Sequence, residues 1–324
     1  MRRRHLVAGL ALAGPAGTLA TVASQDRWPL QPLRIIVVYP PGGLSDGMAR
    51  ALADSLQARL GVPVRVENRA GGGGSVGLQA LAQAAPDGHT LAFSAISPLT
   101  LRPHLGPVGY HPFDDIAPVA GVMFTPVLLV GTPAFTGRDF AGLLAQARAR
   151  PGALRWATSG VATAGHLVLE QVQSGAAVRV THVPYKGGGQ QINDALAGQF
   201  ELLSTNVALA QLRHVAAGRL APMAVGAPRR LDVLPGVPTF AGLGLPQANI
   251  SSLFGVFAPG QTPAVVLDRL HAGIHGALAD PALRERIVAS DNLPFDGSRA
   301  EFARRIAQEW AGNRRLGVAG MRME

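Results

Sequence analysis

The stretch Arg34-Ile-Ile-Val-Val-Tyr39, followed by Pro40-Pro-Gly-Gly43, decides the fold class of this chain. The apolar run has the length and β-branched content of a buried strand, and the prolines and glycines after it mark a turn. Apolar residues at fourfold spacing from Met48 to Leu60 then predict a helix, which Gly61 terminates. The chain therefore presents a strand, a glycine turn and a helix in succession.

The same unit recurs along the chain. Further strands are expected at 62–68, 90–94, 154–158 and 178–185, with glycine turns and helical patterns between them. Strands that alternate with helices in this way indicate an α/β fold with largely parallel sheets. Toward the C-terminus the pattern becomes helical, and we interpret those helices as scaffold.

The only lysine in the sequence, Lys186, lies in the turn of one such unit, directly before Gly187–Gly189. A strand, a glycine turn and a helix N-terminus form an anion site, because free N–H groups and the positive end of the helix dipole point outward. The lysine would add a mobile positive charge to that site. The alternative is an ordinary surface lysine in a βα turn.

Composition narrows the range of functions. The formal net charge is +9 and aromatic residues make up 5%, without a helix-turn-helix or RNA-binding signature, so nucleic-acid binding is not expected. A positive balance favours an anionic small molecule instead. The sequence contains no cysteine, and His271 and His275 share a helix face without an acidic partner, so we expect neither a metal site nor a cofactor.

Residues 1–23 have the order of an export signal. Arg2–Arg4 form a basic region, Leu6–Ala13 an apolar region too short to span a membrane, and Thr21–Ala23 a cleavage site. The paired arginines also permit twin-arginine export. We therefore expect a periplasmic protein.

Two glycine motifs suggest enzymes, and each has a plainer interpretation. Gly43–Gly47 matches G-x-S-x-G, but only one strand precedes Ser45, so no earlier strand can supply the oxyanion loop of a serine hydrolase. Ser45 and Asp46 would otherwise satisfy N–H groups in the first helical turn. Gly72–Gly77 matches G-x-G-x-x-G without the acidic residue of a dinucleotide site, which favours a close backbone turn.

A second anion-facing helix start is expected after the strand at 154–158. Ser159 and Thr163 offer hydroxyl groups there, and Gly160 offers an N–H group. His166 follows on the helix, either as part of this site or as a residue packed near a domain surface.

Two apolar stretches, Val127–Val130 and Leu253–Ala258, lie beside prolines and glycines and suggest crossovers between two domains. We expect residues 24–124 and 228–324 to form the first domain, after removal of the signal peptide at 1–23. Residues 125–227 would form the second.

Six motif segments follow one another along the chain: Tyr39-Pro-Pro-Gly-Gly-Leu-Ser-Asp46, Glu67-Asn-Arg-Ala-Gly-Gly-Gly-Gly-Ser-Val-Gly77, Ala85-Pro-Asp-Gly-His-Thr-Leu91, Thr158-Ser-Gly-Val-Ala-Thr-Ala-Gly-His166, His182-Val-Pro-Tyr-Lys-Gly187 and Leu234-Pro-Gly-Val-Pro-Thr239. Together they resemble one family, the Bug or TctC-type periplasmic solute-binding receptors of tripartite tricarboxylate transport systems. They occur in the order of that family and cover nearly all of the chain after the signal.

The resemblance implies a type II periplasmic-binding-protein fold, with two α/β domains around a ligand cleft. It also implies a carboxylate ligand held by backbone amides, hydroxyl groups and water. The ligand-binding residues expected on this basis are Gly42, Gly43, Ser45, Asp46, Ser94, Ser97, Ser159, Gly160, Thr163, His166, Tyr185, Lys186, Gly187 and Asn206. Thr205-Asn206 stands where the family often has Asp-Asn, and Val161-Ala162 where it has Asn-Gly, so the ligand's identity does not carry over.

We therefore expect a non-catalytic, monomeric binding protein that captures a small mono-, di- or tricarboxylate, including an amino acid or aromatic acid, for uptake. Its partners would be the membrane subunits of a tripartite tricarboxylate transporter. Two alternatives stay open: a serine hydrolase that uses Ser45, and a sensory binding module that presents its closed form to a signalling partner.

Overall fold

The computed structural model describes residues 28–315, which form alternating strands and helices. The expected signal peptide at 1–23 lies outside these residues. Within the described part of the chain, no helix combines the length and the hydropathy needed to cross a membrane.

The strands come in the following order along the chain: β1 (Leu33–Val37), β2 (Val64–Asn68), β3 (Thr90–Ala95), β4 (Ile116–Gly131), β5 (Arg155–Thr158), β6 (Thr181–Pro184), β7 (Leu202–Asn206), β8 (Ala221–Gly226), β9 (Ser251–Pro259) and β10 (Leu293–Pro294). The helices are α1 (Leu44–Leu60), α2 (Ser75–Ala82), α3 (Ser97–Thr100), α4 (Phe140–Ala149), α5 (Ala164–Ala176), α6 (Gly188–Leu196), α7 (Leu209–Ala216), α8 (Ala264–Leu278), α9 (Pro281–Val288) and α10 (Arg299–Arg315).

The first lobe is built on the sheet β2-β1-β3-β9-β4, with β10 beside β4. β1, β2 and β3 are parallel, whereas β9 runs antiparallel to both β3 and β4. The apolar run at 34–39 forms the interior strand β1 of this sheet, in which Ile35 and Ile36 are fully buried. Helices α1 and α8 pack against each other beside it.

Strand β4 carries the chain from one lobe to the other. Its residues Ile116–Pro126 pair with β9, and its residues Val127–Gly131 pair with β7 and β8. In the second part, alternate side chains enter two different cores: Val127 and Leu129 one, Leu128 and Val130 the other. A strand covered on both faces has to be apolar at every position, which explains the continuous apolar run.

The second lobe is built on the sheet β6-β5-β7-β4-β8. β5, β6 and β7 are parallel, and the end of β4 runs antiparallel to β7. The strand order repeats that of the first lobe. In each sheet three parallel strands are followed by one antiparallel strand, β9 in the first lobe and β4 in the second, and then by a fifth strand. In both lobes, the turns that follow the parallel strands lie at the same edge as the cleft between the lobes.

We propose that these two lobes are the two domains of the chain. Residues after Leu253 pack into the core of the first lobe, as the expected crossover requires. Leu231 and Val237, however, belong to one core of the second lobe, and Phe240 and Leu245 to the other. The second domain would then extend to about residue 250 rather than 227. Residues 228–250 contain turns and two short 3₁₀ helices, and such a segment has no apolar periodicity from which its place could be predicted.

Candidate functional site

The two lobes enclose a cavity of about 760 Å³. The lobes also touch beside it. A Cβ atom built on Gly187 would lie 2.3 Å from Pro40 Cδ, and one built on Gly73 would lie 2.2 Å from the carbonyl oxygen of Val161. Both contacts need glycine, because any side chain would hold the lobes apart. The two lobes therefore meet directly beside the cavity.

The first wall is the loop Pro40–Gly43 and the start of α1. Gly42 has a φ of +80°, and Gly43 precedes the helix without a side-chain cap. Asp46 holds this loop from inside. Its carboxylate accepts hydrogen bonds from the Gly42 N–H at 3.0 Å and from Asn68 Nδ2 at 2.9 Å. Arg50 Nε donates to the same carboxylate at 3.1 Å, so every strong interaction of Asp46 supports the turn.

Asp46 is ionised in this setting. Burial by itself would raise its pKa, but the hydrogen bonds from Arg50, the Gly42 N–H and Asn68 together hold the pKa below its usual value of 3.8. The negative charge is neutralised by Arg50, 3.0 Å away. Asp46 is therefore a component of the turn, and it does not line the cavity.

The facing wall contains the turn from Ser159 to Thr163 and the start of α5. Thr163 caps this helix: its hydroxyl accepts from the His166 N–H at 3.4 Å and donates to the Gly160 carbonyl at 2.8 Å. Ala162, at φ +61°, donates its N–H to His166 Nδ1 at 3.2 Å. The histidine therefore fixes the shape of the turn from behind.

His166 also stacks on His182, with ring centroids 4.1 Å apart. Burial, together with the neighbouring His166 ring, lowers the pKa of His182 to about 3, so this imidazole is neutral. Its Nε2 lies 2.7 Å from Thr158 Oγ1 at the end of β5. The pair forms a buried support beneath the turn rather than a face of the cleft.

A hydroxyl and amide network links the turn after β5, helix α6 and the end of β7 in the second lobe. Ser159 Oγ and Thr205 Oγ1 are 2.9 Å apart, and Gln191 Nε2 donates to both of them, at 3.1 and 2.9 Å. The two hydroxyls carry two protons, and one is used between them. The other hydroxyl proton is free to donate into the cavity, which both residues line.

Three helices begin at the cavity without a side-chain cap: α1 after Gly43, α6 after Gly187 and α7 after Ala208. Residues of the first turn of each helix line the cavity. The first N–H groups of a helix lack partners within the helix, and its dipole is positive at this end. Three such ends around one cavity make its walls electropositive.

The described residues that line the cavity include no acidic side chain. Arg286, from α9, adds a guanidinium to the lining, and His214, from α7, adds an imidazole. Burial raises the pKa of Tyr39, another lining residue, to about 12, so its hydroxyl stays neutral. Across residues 28–315 no cluster of three or more histidine, cysteine or acidic side chains is placed to hold a metal.

The structure brings half of the expected ligand-binding residues to the cavity lining: Gly42, Gly43, Ser45, Ser97, Ser159, Thr163 and Asn206. The others lie outside the lining: Asp46, Ser94, Gly160, His166, Tyr185, Lys186 and Gly187. Most of these support the turns. The Tyr185 hydroxyl donates to Asp194 at 2.7 Å, Ser94 donates to the Ala95 carbonyl at 2.7 Å, and Lys186 is exposed.

The polar lining residues that were not expected from the sequence include Gln191, Thr205, Gln211, His214 and Arg286. Thr205 was noted only as a departure from the family pattern. The two glutamines and the histidine lie within helical patterns that carry no motif, and Arg286 lies on a helix interpreted as scaffold. Among these five residues, only Gln191 and Thr205 could have been inferred from the sequence, because both belong to βα units whose turns were expected to face the cleft.

Comparison with known proteins agrees with this geometry. The sequence model of the tripartite tricarboxylate transporter family receptor, TctC, matches residues 48–318. The chain belongs to this family. Protein BugT from Bordetella pertussis is 38% identical over 320 residues, which cover 96% of each chain. The resemblance inferred from the motifs is thereby confirmed.

Solved structures show the same fold. The periplasmic binding protein BugD superposes with a TM-score of 0.85 at 26% identity, covering 91% of this chain and 99% of BugD. MatC from Rhodopseudomonas palustris with bound malate gives 0.83 at 26% identity, covering 88% and 98%. An R. palustris protein with adipate gives 0.83 at 28% identity, covering 91% and 98%. The type II periplasmic-binding-protein fold is confirmed.

The TctC family consists of solute-binding receptors, and its members are periplasmic binding proteins rather than enzymes. The expectation of a non-catalytic protein is therefore confirmed, and the hydrolase alternative built on Ser45 is excluded. In this receptor Ser45 is a buried residue of the first turn of α1, at the cavity wall.

Proposed function

We propose that this receptor captures a small carboxylate in the cleft between its lobes and delivers it to the membrane subunits of a tripartite tricarboxylate transporter. One observation carries the proposal: three uncapped helix N-termini surround a cavity whose described lining contains no acidic side chain. Backbone N–H groups and dipole ends of this kind favour anions. Charge-assisted hydrogen bonds to a carboxylate are strong where water is largely displaced.

The size of the cavity supports a small ligand. About 760 Å³ falls within the range of small-molecule sites, roughly 300–1,000 Å³. Two structural neighbours hold malate and adipate, both dicarboxylates of four to six carbons. One carboxylate would accept from the start of α1 and the Ser45 hydroxyl in the first lobe. It would also accept the free hydroxyl proton of the Ser159–Thr205 pair in the second, so that binding links the two lobes.

The cellular setting is part of the proposal. The expected signal sequence at 1–23, a receptor family whose members are periplasmic, and the absence of a membrane-crossing helix from residues 28–315 all support export to the periplasm. We propose that the protein acts there as a monomer, in which one cleft takes one ligand and the closed form docks on the transporter.

A thermal-shift screen tests the carboxylate proposal. A panel of mono-, di- and tricarboxylates is compared with the matched neutral amides and diols. A ligand at 100 times its Kd adds about 2.7 kcal/mol, which corresponds to a rise of roughly 5–10 °C in Tm. The double variant Ser159→Ala, Thr205→Val should lose the shift, whereas Thr181→Val, an exposed threonine of the same lobe outside the cavity, should keep it. A shift by neutral compounds alone would contradict the proposal.

A further inference from the structure

Gln211 presents an unpaired amide at the cavity. The residue lies on α7, lines the cavity, and is fully buried. Within residues 28–315 neither its Nε2 nor its Oε1 has a hydrogen-bond partner. A buried amide that lacks partners destabilises a fold, and the great majority of buried polar groups are therefore paired. Both halves of this amide are therefore left without a partner by the protein itself.

Gln191 adds a second unpaired acceptor on the same wall. Its Nε2 donates to Ser159 and Thr205, which fixes the orientation of the amide. Its Oε1 is buried and has no partner among the described residues. Two residues of the cavity lining in the second lobe therefore hold unpaired amide oxygens, and Gln211 holds an unpaired Nε2 donor as well. Rotating the Gln211 amide by half a turn exchanges its two atoms and leaves one donor and one acceptor.

These acceptors restrict the ligand. The oxygens of an ionised carboxylate only accept hydrogen bonds, so an unsubstituted dicarboxylate can pair with Nε2 but not with either amide oxygen. We infer that the ligand carries a hydrogen-bond donor, a hydroxyl or ammonium group, beside a carboxylate, and that Gln211 selects for this donor. The inference rests on the proposed carboxylate function and specifies its substrate class. A site that pairs a ligand hydroxyl rejects the analogue without it, because its own buried groups are then left unpaired.

Calorimetry with two matched series tests the inference. Succinate, malate and aspartate differ in one substituent, as do glutarate, 2-hydroxyglutarate and glutamate. The wild-type protein should bind one substituted acid of a series at least tenfold more tightly than the unsubstituted acid. Whether the hydroxy or the amino acid of that series is preferred identifies the donor.

Two methionine variants locate the effect. Gln211→Met keeps the length of the side chain and removes both polar atoms, so the preference should fall to less than about threefold while the unsubstituted acid still binds. Gln199→Met is the matched control, since Gln199 lies in the same lobe, is exposed and does not line the cavity. It should retain the wild-type preference. Circular dichroism and Tm check that both variants fold.

Three results would overturn the inference. The first is a wild-type protein that binds the unsubstituted acids as tightly as the substituted ones, a comparison that needs no variant to fold. The second is a folded Gln211→Met variant with an unchanged preference. The third is a panel in which no carboxylate binds at all, which would remove the proposed function as well. Binding of succinate or glutarate without selectivity would leave the carboxylate function standing and refute only the role of Gln211.

Discussion

Replacing Gly187 with alanine should weaken ligand binding by holding the lobes apart. A Cβ atom at this position would lie 2.3 Å from Pro40 Cδ on the other lobe. Ordinary carbon–carbon contacts are about 3.5–4.0 Å, so the lobes would have to separate by roughly 1.2–1.7 Å at this contact. A hydrogen bond of ordinary length, stretched by that amount, exceeds 3.5 Å and is lost. Losing one charge-assisted hydrogen bond would weaken binding about tenfold to a hundredfold.

Backbone strain has to be separated from this effect. Gly187 has a φ of +151°, a region that is essentially restricted to glycine, so alanine also costs about 1–3 kcal/mol of folding stability. Gly218→Ala is the control: its φ is +67° and nothing lies within 4 Å of the Cβ position. Both variants should unfold at lower urea concentration, but only Gly187→Ala should lose affinity.

Isothermal calorimetry with the carboxylate that gives the largest thermal shift measures the affinity, and urea unfolding without ligand measures the stability. A Gly187→Ala protein with wild-type Kd would refute the reasoning, because it would show that this contact is absent from the bound state. Equal losses of affinity in both variants would attribute the effect to backbone strain instead.

Three further variants test the assignment of roles. Asp46→Asn should lower the free energy of unfolding by about 2 kcal/mol at pH 7. The folded-state pKa of Asp46 is held below 3.8, so this contribution is present above pH 3.8 and lost as the pH falls through the folded value; wild type and variant should therefore converge in urea titrations carried to progressively lower pH below 3.8. Lys186→Met should leave the Kd and its salt dependence unchanged in calorimetry, because Lys186 is exposed and outside the cavity lining; a weakened Kd would restore its predicted role. Arg286→Gln should reduce the salt dependence of binding, because Arg286 contributes a charge at the cavity edge; an unchanged slope of log Kd against log salt would contradict this.

The sequence was sufficient for the fold because each β-turn-α unit carries its own local signal. The strand at 34–39, its glycine turn and the helix to Leu60 were readable from periodicity alone, and β1 and α1 occupy nearly the same residues. The segment at 228–250 was not readable in the same way. Its place in the second lobe depends on apolar contacts of Leu231 and Phe240 with strands distant in sequence, which no local pattern encodes.

The candidate site was only partly readable, for a different physical reason. The motif residues identify a turn, and some of their side chains hold the turn in shape from the protein interior, while its backbone faces the cavity. Asp46 and His166 accept hydrogen bonds from N–H groups of the turns, so these polar atoms are already paired in the absence of a ligand. A sequence shows that such residues belong to the turn but does not show which side of it they occupy.

The residues that we propose distinguish one ligand from another have the opposite property. Gln211 and Arg286 lie on helices at positions without a motif, and only the packing of the two lobes brings them to one cavity. The turns supply N–H groups that any carboxylate can accept from, whereas a buried amide on α7 requires a partner of defined polarity. In the proposed function, the common binding of the anion and the choice of ligand therefore depend on different elements. Changes to helix side chains such as Gln211 can alter specificity while the glycine turns, and with them the receptor architecture, stay intact.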